Sequence, residues 1–364
     1  MEKIAFYIDN MNRGGAQRVM TNLCEHYSKK GVKVILINDY PSDGKRPVYD
    51  LSESIQRVYL QTKYEHSPIK NNISRLKNLR NTLKSEKPDL ILSFLAGPNI
   101  RVLLATIGLK QKVVVSVRND PNVEYSTGGV KKALVSRLFN RAEGCVFQTN
   151  EAKAYFSQNI QNRSKVILNP VDDRFYRTSR TPNIGEIVTA GRLDNQKRHD
   201  ILIDAFAKVA EDHPQVNLII YGEGPLRTQL EEQIRVLGLN SRISLPGNVP
   251  NLEEKLATAS VFVLSSDYEG MPNALMEAMA MGLCCISTNC PCGGPQLLDG
   301  KTGAVKLIKI GDVLGLSQAM RDVIDNDELS FKMGILARER ANLFKPDVIY
   351  EEWNHYLSAI VNEH

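Results

Sequence analysis

The chain has 364 residues, 42% of them hydrophobic and 24% charged, which suits two ordinary globular domains rather than one. No run approaches the roughly 18 apolar residues of a membrane span, and the N-terminus lacks the pattern of a signal peptide, so a cytoplasmic protein, at most peripheral at the inner face of the plasma membrane, is expected. The net charge of +5 hides a split: residues 1–180 hold 30 Lys+Arg against 16 Asp+Glu, a net +14, whereas residues 181–364 hold 16 against 25, a net −9. A basic half of this kind meets something anionic. No aromatic-basic motif points to nucleic acid, so an anionic membrane surface is the expected partner.

In chain order, apolar runs predict strands at 3–8, 33–38, 89–93, 112–117, 144–148 and 164–168, then at 186–190, 216–221, 242–245, 260–264 and 283–287. Many are rich in Val and Ile without strict alternation, as in parallel strands covered on both faces. Helical spacing fills segments such as 16–30, 200–212 and 225–237. This rhythm predicts an α/β fold with doubly wound parallel sheets. Residues 171–183 are polar and aperiodic, as a linker would be. Residues 349–357 read as part of an amphipathic helix with Trp353 as its anchor. Six cysteines without an export signal should be reduced thiols, and the Cys290-Pro291-Cys292 spacing matches no usual zinc pattern, so no metal is expected.

The candidate site residues follow predicted strands, where ligands of such sheets bind. After strand 3–8, Gly14 and Gly15 let backbone approach a ligand at a helix start, although any tight turn would use them. After strand 186–190, Gly191-Arg192-Leu193-Asp194-Asn195-Gln196-Lys197-Arg198-His199 supplies in Arg192 a planar fork and in Lys197 a mobile point charge that together suit a diphosphate. Tyr221-Gly222-Glu223-Gly224-Pro225 lacks the third glycine of a dinucleotide fingerprint, but Glu223 could line a nucleotide pocket. After strand 260–264 comes Glu269-Gly270-Met271-Pro272-Asn273-Ala274-Leu275-Met276-Glu277. Pro272 suits a first helical turn, and the free N–H groups near Asn273, Ala274 and Leu275 suit a phosphate. Glu269 and Glu277 accept hydrogen bonds only, which fits sugar and ribose hydroxyls. Asp325-Asn326-Asp327 reads as a solvated turn.

Taken together, Gly14-Gly15, Gly191-Arg192-Leu193 with Lys197, Gly222-Glu223-Gly224-Pro225, Glu269 through Glu277-Ala278, Gly293-Gly294-Pro295 and Gly300-Lys-Thr-Gly303 resemble glycosyltransferase family 4. The resemblance implies a GT-B architecture of two Rossmann-like domains facing across a cleft. It assigns 1–172 to an acceptor-binding domain, 173–345 to a nucleotide-sugar domain and 346–364 to a helix returning to the first domain. It implies retaining transfer without a metal or other cofactor. The donor would be a nucleotide-sugar, with a UDP-sugar (GlcNAc, GalNAc or hexose) favoured over a guanosine donor. The acceptor would be a glycan or polyprenyl-linked chain in surface polysaccharide assembly. It gives Arg192 and Lys197 the diphosphate, Glu277 the ribose, Glu269 the transferred sugar, and Met271–Leu275 backbone the rest of the donor site. Many relatives carry histidine where this chain has Arg118, so the arginine is expected to neutralise the anion or to hold the acceptor, and Asp120 to contact the acceptor. A non-catalytic nucleotide-sugar-binding subunit and a nucleotide-sugar epimerase are the alternative readings.

Overall fold

A computed structural model describes residues 1–12, 14–41, 49–61, 67–125, 129–183 and 185–362. The chain divides into two units, Met1–Asn169 with Ile349–His364, and Pro170–Val348.

The first unit holds seven parallel strands: β1 (Lys3–Ile8), β2 (Lys33–Asn38), β3 (Gln56–Tyr59), β4 (Leu90–Phe94), β5 (Lys112–Ser116), β6 (Gly144–Phe147) and β7 (Ser164–Val166), in the order β3-β2-β1-β4-β5-β6-β7. Strands β1, β4 and β6 are buried almost throughout, because helices cover both faces of the sheet. The chain leaves β1 toward β2 and β3, then crosses back to place β4 on the other side of β1. That reversal is the switch point, where doubly wound sheets open a crevice at the strand carboxyl ends. The helix Pro346–Asn362 closes this unit. Its Trp353 is fully buried with its ring 6.2 Å from that of Phe94, and its Tyr356 hydroxyl donates to the carbonyl of Arg163 at 2.6 Å.

The second unit holds β8 (Glu186–Ala190), β9 (Asn217–Tyr221), β10 (Ile243–Gly247), β11 (Val261–Leu264), β12 (Cys284–Thr288) and β13 (Val305–Ile308), all parallel, in the order β10-β9-β8-β11-β12-β13. Its switch point lies between β8 and β11. The core unites Ile187, Leu202, Phe206, Ile220, Val263 and Ile286 from strands and covering helices. Residues 171–183 are not a free linker. Arg174–Arg177 forms a short helix with Phe175 buried, and Thr181 and Asn183 donate backbone N–H groups to Ala257 and Thr258. Asn326 caps the helix Asp327–Arg340 by accepting from Leu329 N at 2.9 Å, so the Asp325-Asn326-Asp327 turn is a helix boundary.

Among the described residues no helix is long and apolar enough to cross a membrane. On the helix Pro68–Glu86, Arg75 and Arg80 are tied down, to Asp39 and to the carbonyls of Ala105 and Ile107. Lys70, Lys77 and Lys84 are exposed, as are Ile69 and Ile73.

Trp353→Ala should remove about 3–5 kcal/mol of local stability, the usual cost of emptying a large buried aromatic site. Hydrogen exchange is expected to rise in β4 and β6 while β8 and β11 keep their protection. Equal loss in both sheets would contradict the anchoring role.

Candidate functional site

In the second unit, the segments following β8 and β11 are joined across the switch point. Gln196 receives the Asp267 N–H on its carbonyl at 2.9 Å, and its side-chain amide donates to the Tyr268 carbonyl at 2.9 Å. The Ser265 hydroxyl donates to the Lys197 carbonyl at 2.8 Å. Arg198, in the left-handed region at φ 49°, spans Asp200 at 3.0 Å and Asp267 at 3.2 Å. These bonds carry Lys197 inward, where its Nζ donates to Glu269 Oε1 at 2.5 Å. Ser266 Oγ donates to the same oxygen at 2.6 Å, and the Ser266 carbonyl accepts from the buried Thr288 hydroxyl. Among the described residues, both side-chain bonds to Glu269 fall on Oε1. Glu269 is 6% exposed, and a hydrogen-bonded ion pair at this depth is screened far less than one on the surface.

The other predicted donor-site residues divide. Arg192 lies at the rim with its side chain 71% exposed and only a 3.4 Å contact to Asp194, so its fork can turn to an incoming anion. Glu277 is buried one turn inside the helix Asn273–Ala280. Pro272 is the cap of that helix rather than its first residue, and no side chain caps the turn of Asn273, Ala274 and Leu275. Met271 and Leu275 are buried. Glu223 follows β9, where the sequence places it. Its carboxylate is held by Arg227 at 2.5 and 2.8 Å, on a side chain 46% exposed. What the Gly222-Glu223-Gly224 segment contributes is backbone: Leu193 N donates to the Glu223 carbonyl at 3.1 Å, and Leu226 N to the Leu193 carbonyl at 3.0 Å. A Cβ on Gly222, which sits at φ 138°, would strike the Gly191 carbonyl oxygen, and one on Gly224 that of Leu193. The glycines thus let two loops touch.

Two buried groups escaped the sequence reading because nothing marks them locally. Ser266 looks like any strand-end serine. His199 opens the helix His199–Asp212 beneath Arg192 and Lys197. Burial first, and then the Lys197 charge, push its pKa down to about 4, so it is neutral near pH 7. Cys290 is buried nearby, and burial followed by the Glu269 charge pushes its thiol up to about 12, which leaves it inert. All six cysteines are free and buried, and no group of three or more His, Cys, Asp or Glu among the described residues could hold a metal ion.

In the first unit, Gly14 is the extended cap of the helix Gly15–Lys29, whose start has no side-chain cap. Arg118 is an interior residue rather than one presented to an acceptor. Its guanidinium lies 4.6 Å from the Phe94 ring centre and donates to Asn169. Burial pulls its pKa down to about 9, opposed by the charge of Glu124. Burial, in turn, lifts Glu124 to about 7. Asp120 caps the short helix Pro121–Glu124 by accepting from Asn122 N at 2.8 Å.

Two doubly wound parallel units, the second with a cation and a carboxylate facing each other at its switch point, define the GT-B class of glycosyltransferases. The solved structure of Anabaena Alr3699/HepE in complex with UDP and glucose has this fold, with a TM-score of 0.83 over 99% of this chain and 100% of that one at 19% identity. Residues 13–175 match the model of Glycosyltransferase Family 4 and residues 185–326 that of Glycosyl transferases group 1, so the chain belongs to the family 4 glycosyltransferases. Two curated relatives come from Campylobacter jejuni. One, a GalNAc-α-(1→4)-GalNAc-α-(1→3)-diNAcBac-PP-undecaprenol α-1,4-N-acetyl-D-galactosaminyltransferase, is 26% identical over 100% of both chains. The other, an N-acetylgalactosamine-N,N'-diacetylbacillosaminyl-diphospho-undecaprenol 4-α-N-acetylgalactosaminyltransferase, is 27% identical over 98% of this chain and 100% of that one.

Because His199 has a depressed pKa, the unfolded chain takes up a proton between about pH 6.5 and 4 that the folded chain refuses. Stability should therefore fall as pH falls through that window. Urea midpoints of the wild type and His199→Leu, compared at pH 7 and pH 5, are expected to show a smaller drop in the variant. Equal drops would show that His199 is not the titrating group.

Proposed function

We propose that the chain is a retaining transferase that moves a sugar from a UDP-sugar to a hydroxyl of a glycan or polyprenyl-linked acceptor in bacterial surface-glycan assembly. The observation that carries this reading is the Lys197–Glu269 pair, 2.5 Å apart and flanked by Arg192 and the uncapped start of the helix holding Glu277. Lys197 and Arg192 hold the donor diphosphate, and the backbone at Met271–Leu275 completes its cradle. Glu277 accepts the ribose hydroxyls and Glu269 faces the transferred sugar. As the glycosidic bond breaks, charge grows on the diphosphate, and preorganised cations stabilise it more in the transition state than in the ground state. The acceptor hydroxyl attacks from the leaving-group face and gives its proton to a departing phosphate oxygen, which retains the anomeric configuration and needs no metal.

Glu269 also shapes the energetics of binding. It shares Lys197 with the donor phosphate, so it weakens the ground-state grip. It then repays this cost when the sugar becomes cationic. The names of the Campylobacter relatives support an N-acetylhexosamine donor and a diphospho-undecaprenol acceptor, and the UDP complex of the Anabaena neighbour supports a uridine nucleotide. Exposed Ile69 and Ile73 beside Lys70, Lys77 and Lys84 support contact with an anionic leaflet at the inner face of the plasma membrane.

Radiolabelled UDP-sugars with a lipid-linked glycan acceptor test the activity. Lys197→Ala and Glu277→Ala should each lower kcat/KM by about a hundredfold or more while leaving the circular dichroism unchanged, as expected when charge-assisted contacts to a transition state are lost. Unchanged kinetics in both would remove the site assignment. Turnover is expected to survive exhaustive chelation, and its loss with EDTA would overturn the metal-free mechanism. In liposome flotation, binding should require anionic lipid and weaken as salt rises. Binding indifferent to both would sink the electrostatic attachment.

A further inference from the structure

The first unit carries a second built pocket, at its own switch point. A cavity of about 300 Å³ opens at the carboxyl ends of β1, β2 and β4, lined by Asp9, Asp39, Arg75, Leu95, Gly97 and Arg101 among others. At its base, Asp39 is 2% exposed and gathers three donors. Tyr7 Oη donates to Oδ1 at 2.7 Å, Arg75 Nη1 to Oδ2 at 2.8 Å, and Arg101 Nη1 to both oxygens at 2.7 and 2.9 Å. Arg75 is fully engaged, since its Nε donates to the Asn71 carbonyl and its Nη2 to Asn72 Oδ1. Arg101 is not. All its hydrogen bonds, including one to Tyr7, leave from Nη1. Among the described residues, Nε and Nη2 donate to nothing. Those two nitrogens form the side-on edge of a guanidinium, the fork that matches two oxygens of a carboxylate or phosphate.

Two further features suit an anion there. Two arginines share one buried carboxylate, which leaves a positive charge unanswered within the triad. The helix Ala96–Ala105 begins at the pocket without a side-chain cap, behind Leu95 at φ 75°, a conformation that a non-glycine residue holds only when its surroundings demand it. Asp9 is the opposing charge at the rim, and burial raises its pKa.

We propose that this pocket binds an oxyanion of the acceptor, phosphate or carboxylate, on the free edge of Arg101, with Asp39 as the internal counter-ion whose negative charge offsets part of the positive potential there. The proposal rests on reading the first unit as the acceptor side, and it names a charged group as part of what the enzyme recognises.

The test uses the full chain saturated with UDP, so that the donor phosphate subsite is filled, titrated with inorganic phosphate and separately with glucuronate. Arg101→Lys keeps the charge beside Asp39 but loses the fork, and should weaken anion binding about tenfold or more. Asp39→Asn removes the competing carboxylate and should tighten it several-fold. A residue with a merely structural role would not move the two variants in opposite directions. Phosphate binding alone assigns a phosphorylated acceptor, and glucuronate binding alone an acidic sugar. Failure of both anions to bind, or equal binding by the wild type and Arg101→Lys, overturns the proposal. If Arg101→Lys does not fold, unchanged or weaker binding by Asp39→Asn overturns it. Failure of UDP itself to bind counts against the donor-site reading and not against this pocket.

Discussion

The bond between Lys197 and Glu269 is the contact on which the arrangement of the second unit turns. It joins the segment after β8 to the segment after β11, the two strands that flank the reversal of strand order. Everything nearby serves to hold those segments in register. Gln196 and Ser265 tie the two backbones, Arg198 spans their carboxylates, and Ser266 fixes the Glu269 oxygen that Lys197 meets. On the other side, the glycine carbons at 222 and 224 allow the segment after β9 to lie against Gly191 and Leu193. At this depth the pair is supported by the Ser266 hydroxyl, which donates to the same Glu269 oxygen that Lys197 meets.

The same contact gives the proposed chemistry its direction. With Lys197 held against Glu269, a diphosphate bound as proposed would share the cation. Transition-state charge then separates the two roles, with the phosphate side stabilised by Lys197 and the sugar side by Glu269. Binding energy is withheld from the ground state and returned at the barrier. Arg192 lies at the rim, exposed and in contact with Asp194 at 3.4 Å.

Much of this was legible in the sequence. The Val- and Ile-rich runs marked eleven strands close to their observed positions because parallel strands buried on both faces cannot hide their composition. The two strands missed, Gln56–Tyr59 and Val305–Ile308, are short edge strands with partly exposed, mixed residues, where burial no longer imposes an apolar pattern. Glu269, Glu277, Arg192 and Lys197 stood out because a strand end, a glycine and a helix start precede or surround them. For Glu223 and Arg118 the sequence leaves the partner open, because a charge near a strand end looks the same whether its partner is a ligand or another side chain. Arg227 four residues on and Glu124 six residues on are those partners, and only coordinates reveal them. Ser266, His199 and the Arg101 edge were invisible because their roles depend on burial and on neighbours remote in the chain.

The most direct test of the account is a calorimetric titration of UDP into the wild-type chain and into Glu269→Gln, with transfer measured on the same samples. If Lys197 is shared between Glu269 and the donor phosphate, neutralising the carboxylate should tighten UDP binding while transfer falls. Weaker UDP binding in Glu269→Gln, or binding unchanged from wild type, would contradict the shared cation at the centre of the site.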